Sequence, residues 1–177
     1  MRALIIGSAL VIGGGAIAQT PATTSGTKQA PLSTSPSAMA VIKDAKGVEK
    51  GRATVTVAGE VMRLLVDVRD MPPGQHGLHL HMTGRCDAPA FTTAGDHWNP
   101  TGRKHGERNP QGPHAGDFKN ISVGVDGKGS LSADVPGSYA SLIDQDGASI
   151  IVHAAADDYK TDPSGNSGGR IACGVFG

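Results

Sequence analysis

The stretch Ile121-Ser122-Val123-Gly124-Val125-Asp126-Gly127-Lys128-Gly129-Ser130-Leu131-Ser132-Ala133-Asp134-Val135 alternates apolar with small or polar side chains on both sides of a glycine-rich turn. A period of two sends successive side chains to opposite faces of a strand. Asp126-Gly127-Lys128-Gly129 supplies the positive backbone angles of a hairpin turn, so two strands joined as a hairpin are predicted. Working outward, Thr54-Val55-Thr56-Val57 and Leu64-Leu65-Val66-Asp67-Val68 repeat the pattern, while Ala148 to His153 and Arg170 to Phe176 add two further strands. The chain has 26 Gly and 11 Pro and no convincing amphipathic helix, so these strands must close around one another. The predicted class is all-β: a Greek-key antiparallel sandwich or barrel, immunoglobulin-like, with two long strand-poor connections at Met82 to Asn120 and Ala154 to Gly169. Connections of that length inside a compact domain are usually functional.

Sixteen Lys+Arg balance 16 Asp+Glu and only 3% of residues are aromatic, which argues against a nucleic-acid partner. Residues 1–18 read as a secretory signal peptide: Arg2, an apolar run from Ala3 to Ala18 broken by Gly13-Gly14-Gly15, and a small-x-small site at Ala16-Ile17-Ala18. The run falls short of the roughly 20 residues that span a bilayer, so no membrane attachment is expected after cleavage. Residues 19–37, rich in Thr, Ser, Pro, Ala and Gln, carry too few large apolar side chains to offset ordering entropy and read as a disordered linker. Residues 38–177 match the commonest size of a single domain. The expected location is periplasmic or secreted, an oxidising setting in which Cys86 and Cys173 are expected to pair with each other.

All seven histidines fall between His76 and His153, most of them beside glycine or within the long connections. In His79-Leu80-His81 the two imidazoles share one face of a probable strand while the leucine enters the other, so one metal ion can bridge them. Alone, that pattern equally describes a solvated strand face. His97, His105, His114 and Asp117 follow in a segment rich in glycine and proline, and three imidazoles with one carboxylate fill the tetrahedral shell of a structural zinc. His153 ends the apolar run Ile150-Ile151-Val152 and offers a third nitrogen to the His79 and His81 pair, giving the nitrogen-rich set that copper(II) prefers. Two four-coordinate metals need eight ligand positions. With His76 set aside, six histidines and Asp117 supply seven, so one imidazole must use both nitrogens, and His97 lies between the two groups.

Three segments carry a further observation: His76-Gly77-Leu78-His79-Leu80-His81; Ala94-Gly95-Asp96-His97-Trp98-Asn99-Pro100 continuing through His105 and His114-Ala115-Gly116-Asp117; and Gly165-Asn166-Ser167-Gly168-Gly169-Arg170-Ile171-Ala172-Cys173-Gly174-Val175. In order and spacing they resemble the copper/zinc superoxide dismutase family, over essentially the whole of residues 38–177, and the signal peptide and short second loop look most like its bacterial exported branch. The resemblance implies an enzyme that disproportionates two superoxide radicals to O2 and H2O2 through alternating copper(II) and copper(I). It implies copper ligands at His79, His81, His97 and His153, and zinc ligands at His97, His105, His114 and Asp117. His97 would be the shared ligand and a proton carrier. It further implies that Asp157 orients His79 and His105, with Asp158 as a competitor for that role, and that His76 is structural. Cys86 and Cys173 match a disulfide tying the metal-binding loop to the last strand, and Arg170 matches an arginine that orients superoxide beside the copper.

Two departures stand out. Tyr159-Lys160-Thr161-Asp162-Pro163-Ser164 is shorter than the charged channel loop of the eukaryotic members, leaving Lys160 as the remaining positive guide, and Asp96 places a carboxylate beside His97 where many members have an uncharged residue. The implied partner is superoxide itself, and the resemblance leaves a homodimer open. The alternative function is a non-catalytic copper-binding or copper-delivery module of the same fold. A zinc hydrolase would need an open zinc position, which this ligand set does not leave.

Overall fold

The computed structural model describes residues 35–177 and, outside them, Gly7 alone. The stretch read as signal peptide, apart from Gly7, and nearly all of the linker lie outside the described residues. The elements are β1 (Ser37–Asp44), β2 (Glu49–Ala58), β3 (Val61–Val68), β4 (Gly74–His76), β5 (Leu78–His81), a 3-10 turn (Thr92–Ala94), β6 (Ile121–Val123), β7 (Gly129–Val135), α1 (Tyr139–Leu142), β8 (Ser149–His153) and β9 (Arg170–Val175). Seven strands form one antiparallel, strongly curled sheet in the order β5-β8-β9-β1-β2-β3-β7, and β4 pairs with β6 separately. The expected choice between sandwich and barrel thus resolves to a half-barrel.

Alternation builds this core. In β3 the residues at every second position, Met62, Leu64, Val66 and Val68, are buried, whereas Leu65 between them is 48% exposed. Ala40, Ile42, Ala53, Val55, Leu78, Leu80, Ile150 and Val152 are wholly buried in the same core. β1 gives a weak apolar signal in the sequence, because two of its three inward residues, Ala38 and Ala40, are small and only Ile42 is large. It lies between β2 and β9 and joins the two halves of the sheet.

The hairpin expected around Gly127 is only partly present. The turn closes, with Gly127 N–H donating to Gly124 O at 2.9 Å and Gly124 N–H donating to Lys128 O at 2.8 Å. The strands on either side then diverge: β6 pairs with β4, and β7 pairs with β3 over seven residue pairs. Val125, read as part of the first strand, is 98% exposed at the turn. The longer ladder offered by the free edge of β3 outcompetes a local pairing with the three residues of β6.

Candidate metal centre

β5 and β8 set the metal-facing surface. They pair antiparallel with His79 opposite Ile151 and His81 opposite Ser149, so Leu78, Leu80, Ile150 and Val152 enter the main core while the histidines turn to the other face. That face is covered rather than solvated. The free edge of β5 is caught by the long loop, through Trp98 N–H to Leu80 O at 2.8 Å, Leu80 N–H to Gly116 O at 2.9 Å and Met82 N–H to Asp96 O at 3.0 Å. These bonds carry His97, His114 and Asp117 against the strand histidines. A register shift between Val152 and His153 then sets His153 opposite Arg170 on β9.

The hydrogen bonds fix each ring. His79 Nε2–H donates to Asp157 Oδ2 at 2.7 Å, His81 Nδ1–H to Gly95 O at 2.9 Å, and His153 Nδ1–H to Gly168 O at 3.2 Å. His105 Nε2–H donates to the other Asp157 oxygen at 3.0 Å. In His79, His81 and His153 the second ring nitrogen is left as a lone pair. His79 Nδ1, His81 Nε2, His97 Nε2, His105 Nδ1 and His153 Nε2 are all buried without a hydrogen-bond partner. One such atom costs about 1–3 kcal/mol, so five in one place require a cation that they can ligate.

Ligand atoms of His79, His81, His97 and His153 lie within 4.8 Å of one another. The second set gathers on the Asp117 carboxylate: His97 Nδ1 at 2.8 Å, His114 Nδ1 at 3.1 Å and His105 Nδ1 at 3.1 Å. His97 Nδ1 and His114 Nδ1 are 3.4 Å apart. A tetrahedral zinc with bonds of about 2.0–2.1 Å needs ligand atoms roughly 3.3 Å apart, and the set fits. His79 is also within range of His97, His105 and Asp117, but its Nε2 is taken by Asp157 and its free nitrogen belongs with the four-imidazole set. His97 therefore presents one nitrogen to each set.

The two sets differ electrically. Burial holds His79, His81 and His153 down to about 3, 2 and 4, so their lone pairs are free at neutral pH, and burial also lowers His97. Burial opposes protonation of His105 too, yet the adjoining Asp117 and Asp157 carboxylates outweigh it and raise it to about 9. Burial would raise both carboxylates, but their histidine contacts hold Asp117 and Asp157 well below the usual range.

Asp157 and Asp158 separate cleanly. Asp157 is buried and joins one ring of each set, while Asp158 is half-buried and caps the next turn by accepting from Lys160 N–H and Thr161 N–H, both at 2.8 Å. Asn120, which nothing local in the sequence singles out, holds the backbone of Asp157: its Oδ1 accepts from Asp157 N–H at 2.8 Å and its Nδ2–H donates to Asp157 O at 3.0 Å. His76 Nδ1 lies 2.7 Å from His153 O and its Nε2 2.8 Å from Pro72 O, one of which takes its N–H, and the ring joins neither set. The Cys86–Cys173 disulfide is formed. Arg170 donates to Phe91 O at 2.7 Å and Gly95 O at 2.8 Å, and with His97 and His114 it lines a cavity of about 650 Å³. Lys160 does not line that cavity; Arg103 and Lys104 do.

Curled sheet and loops together define a half-barrel β-protein with two adjacent candidate metal sets sharing one imidazole. A family model described as copper/zinc superoxide dismutase (SODC) matches residues 49–176. Superoxide dismutase [Cu-Zn] 1 of Aquifex aeolicus is 39% identical over 143 residues, covering 76% of this chain and 83% of its own. The crystal structure of a SOD-like protein from Bacillus subtilis superposes with a TM-score of 0.73 at 35% identity, covering 77% of this chain and 96% of that one. The Cu/Zn superoxide dismutase from Brucella abortus gives a TM-score of 0.64 at 28% identity, over 79% and 99% of the two chains. The chain belongs to the copper/zinc superoxide dismutase family.

Gly165 makes the closest approach in the site. A Cβ there would lie 1.8 Å from Asp157 Oδ1 and 2.6 Å from His105 Nε2, and its φ of +63° already disfavours other residues. Gly165→Ala is expected to pull Asp157 off His105 and weaken zinc retention by about 10- to 100-fold. Zinc release to a chelator at the wild-type rate would contradict this.

Proposed function

We propose that this chain is a superoxide dismutase holding copper on His79, His81, His97 and His153 and zinc on His97, His105, His114 and Asp117. The observation that carries the reading is the convergence of five buried, unpartnered imidazole nitrogens on two adjacent points. Copper supplies one-electron redox chemistry there, so that two superoxide radicals and two protons become O2 and H2O2. His97 Nε2 faces the copper set, so it would be suited to pick up a proton and deliver it to the departing product while Nδ1, beside Asp117, stays on the zinc side. Asp157 keeps the His79 and His105 rings from turning. Arg170 attracts and orients the superoxide anion, its guanidinium immobilised by two backbone carbonyls beside the His81 anchor.

The Cys86–Cys173 disulfide supports an oxidising location, periplasmic or secreted. The zinc set is filled by four protein ligands, which disfavours a zinc hydrolase.

The test is the decay of pulse-generated superoxide over protein carrying both metals. Wild type is expected to accelerate it strongly, and Arg170→Ala to lower the second-order rate constant about 10-fold with both metals still bound. Decay at the spontaneous rate over the wild-type protein would leave a metal-binding module without turnover. A wild-type rate in Arg170→Ala would remove the arginine from the mechanism.

A further inference from the structure

The mouth of the cavity that reaches His97 and Arg170 is not a simple cationic funnel. Lys104 is paired with Asp162 at 3.0 Å, which cancels most of its field. The Arg103 guanidinium is turned onto Gly112 O. Asp144 and Asp146 lie on the same lining, and so does Asp96. Arg103 and Arg170 are thus the cations on this lining without a carboxylate partner, and Asp96 shares the lining with both.

Asp96 follows Gly95, whose carbonyl anchors both Arg170 and His81. Its own carbonyl accepts from Met82 N–H at 3.0 Å, so the backbone that carries the side chain is fixed at the lip. The side chain is exposed, and among the described residues its carboxylate makes no hydrogen bond and no ion pair. Arg170 nevertheless feels it as a nearby negative charge. A carboxylate that close but unpaired does not clamp the arginine. Its charge stays unquenched and acts on whatever enters.

We propose that Asp96 limits the rate at which superoxide reaches Arg170, by partly cancelling the guanidinium's field at the cavity mouth. The proposal rests on the assignment of Arg170 as the anion guide. One unit charge within a Debye length of the path changes the association of a small anion by about two- to threefold in low salt, and the effect fades as salt shortens that length.

The experiment measures the second-order rate constant with superoxide against ionic strength for wild type, Asp96→Asn, Asp96→Ser, Asp67→Asn and Arg170→Ala, each with metal content verified. The dissociation constant of azide, read from the copper absorption band, gives a second measure that does not depend on turnover. Both Asp96 variants are expected to react about two- to threefold faster than wild type at about 10 mM ionic strength, to bind azide more tightly by a similar factor, and to lose the advantage by about 0.5 M. Asp67→Asn, on the outer face of β3, removes the same charge and should match wild type. Asp96 variants equal to wild type at every ionic strength, beside a slowed Arg170→Ala, would overturn the role of Asp96 and leave that of Arg170 standing. A gain that persists undiminished in high salt, or appears equally in Asp67→Asn, would also overturn it. An unchanged Arg170→Ala would overturn the assignment beneath.

Discussion

His153→Ala is expected to abolish turnover, by about a thousandfold or more, with copper lost and zinc retained. His153 contributes its unpartnered nitrogen only to the four-imidazole set, since the second set closes without it on Asp117. Its position is specified by the backbone twice over. The register shift at Val152 and His153 turns the ring toward His79, at 4.8 Å between centroids, and Gly168 O fixes which nitrogen is free. The fold itself should tolerate the change. His153 ends β8, and the apolar core residues Ile150 and Val152 on the opposite face are untouched. Metal analysis, the copper(II) paramagnetic resonance spectrum and superoxide decay, measured on one sample, check the prediction. Full copper occupancy with turnover near wild type would show that three imidazoles suffice and that His153 is not a ligand.

The candidate ligands are legible in the sequence because side-chain type alone limits what they do. Seven histidines in a chain with few aromatics, most of them beside glycine or within a long loop, have little reason to cluster except ligation, and the structure gathers six of them on two adjacent points. What escaped depends on pairing between distant segments. Asn120 holds Asp157 across 37 positions, and no local pattern connects them. Asp157 and Asp158 are adjacent on an irregular loop without a period, so nothing in the chain says which one turns inward; burial and the capping of the next turn by Asp158 decide it. The same reason explains the strands. β3, with a full alternation of large residues, is readable in isolation, whereas β1 has alanines facing inward and exists because β2 and β9 both offer it an edge. β7 pairs with β3 and not with its hairpin neighbour, because a turn constrains where the chain reverses without constraining which edge the next strand finds.

Replacing Cys86 and Cys173 together by serine is expected to cost about 4–5 kcal/mol, the loop-closure entropy of a crosslink spanning 87 residues. That is a large share of the roughly 5–15 kcal/mol by which a domain is stable, so the metal-free double variant should lie near its unfolding threshold. Bound metals act only on the folded chain and add the same stabilisation to variant and wild type while their affinity is unchanged, so metal loading should offset much of the loss and leave the gap between metal-free and metal-loaded midpoints equal in the two. The disulfide also has a local consequence. Cys173 is packed with Phe91, Ala94 and Ile151 in a small second core under the loop, and Cys86 packs against it. That loop supplies Phe91 O and Gly95 O, which hold Arg170, and Gly95 O also orients His81. Freed of the crosslink, the segment from Cys86 to Gly95 should become cleavable by protease, and turnover should fall with metal content unchanged, because the guanidinium loses its fixed frame. Denaturation midpoints in urea with and without metals, together with timed proteolysis, separate the two effects. Equal midpoints would mean that the unfolded chain gains nothing from losing the bond. Equal cleavage would mean that the small core holds the loop by packing alone, in which case Arg170 should keep its geometry and its rate.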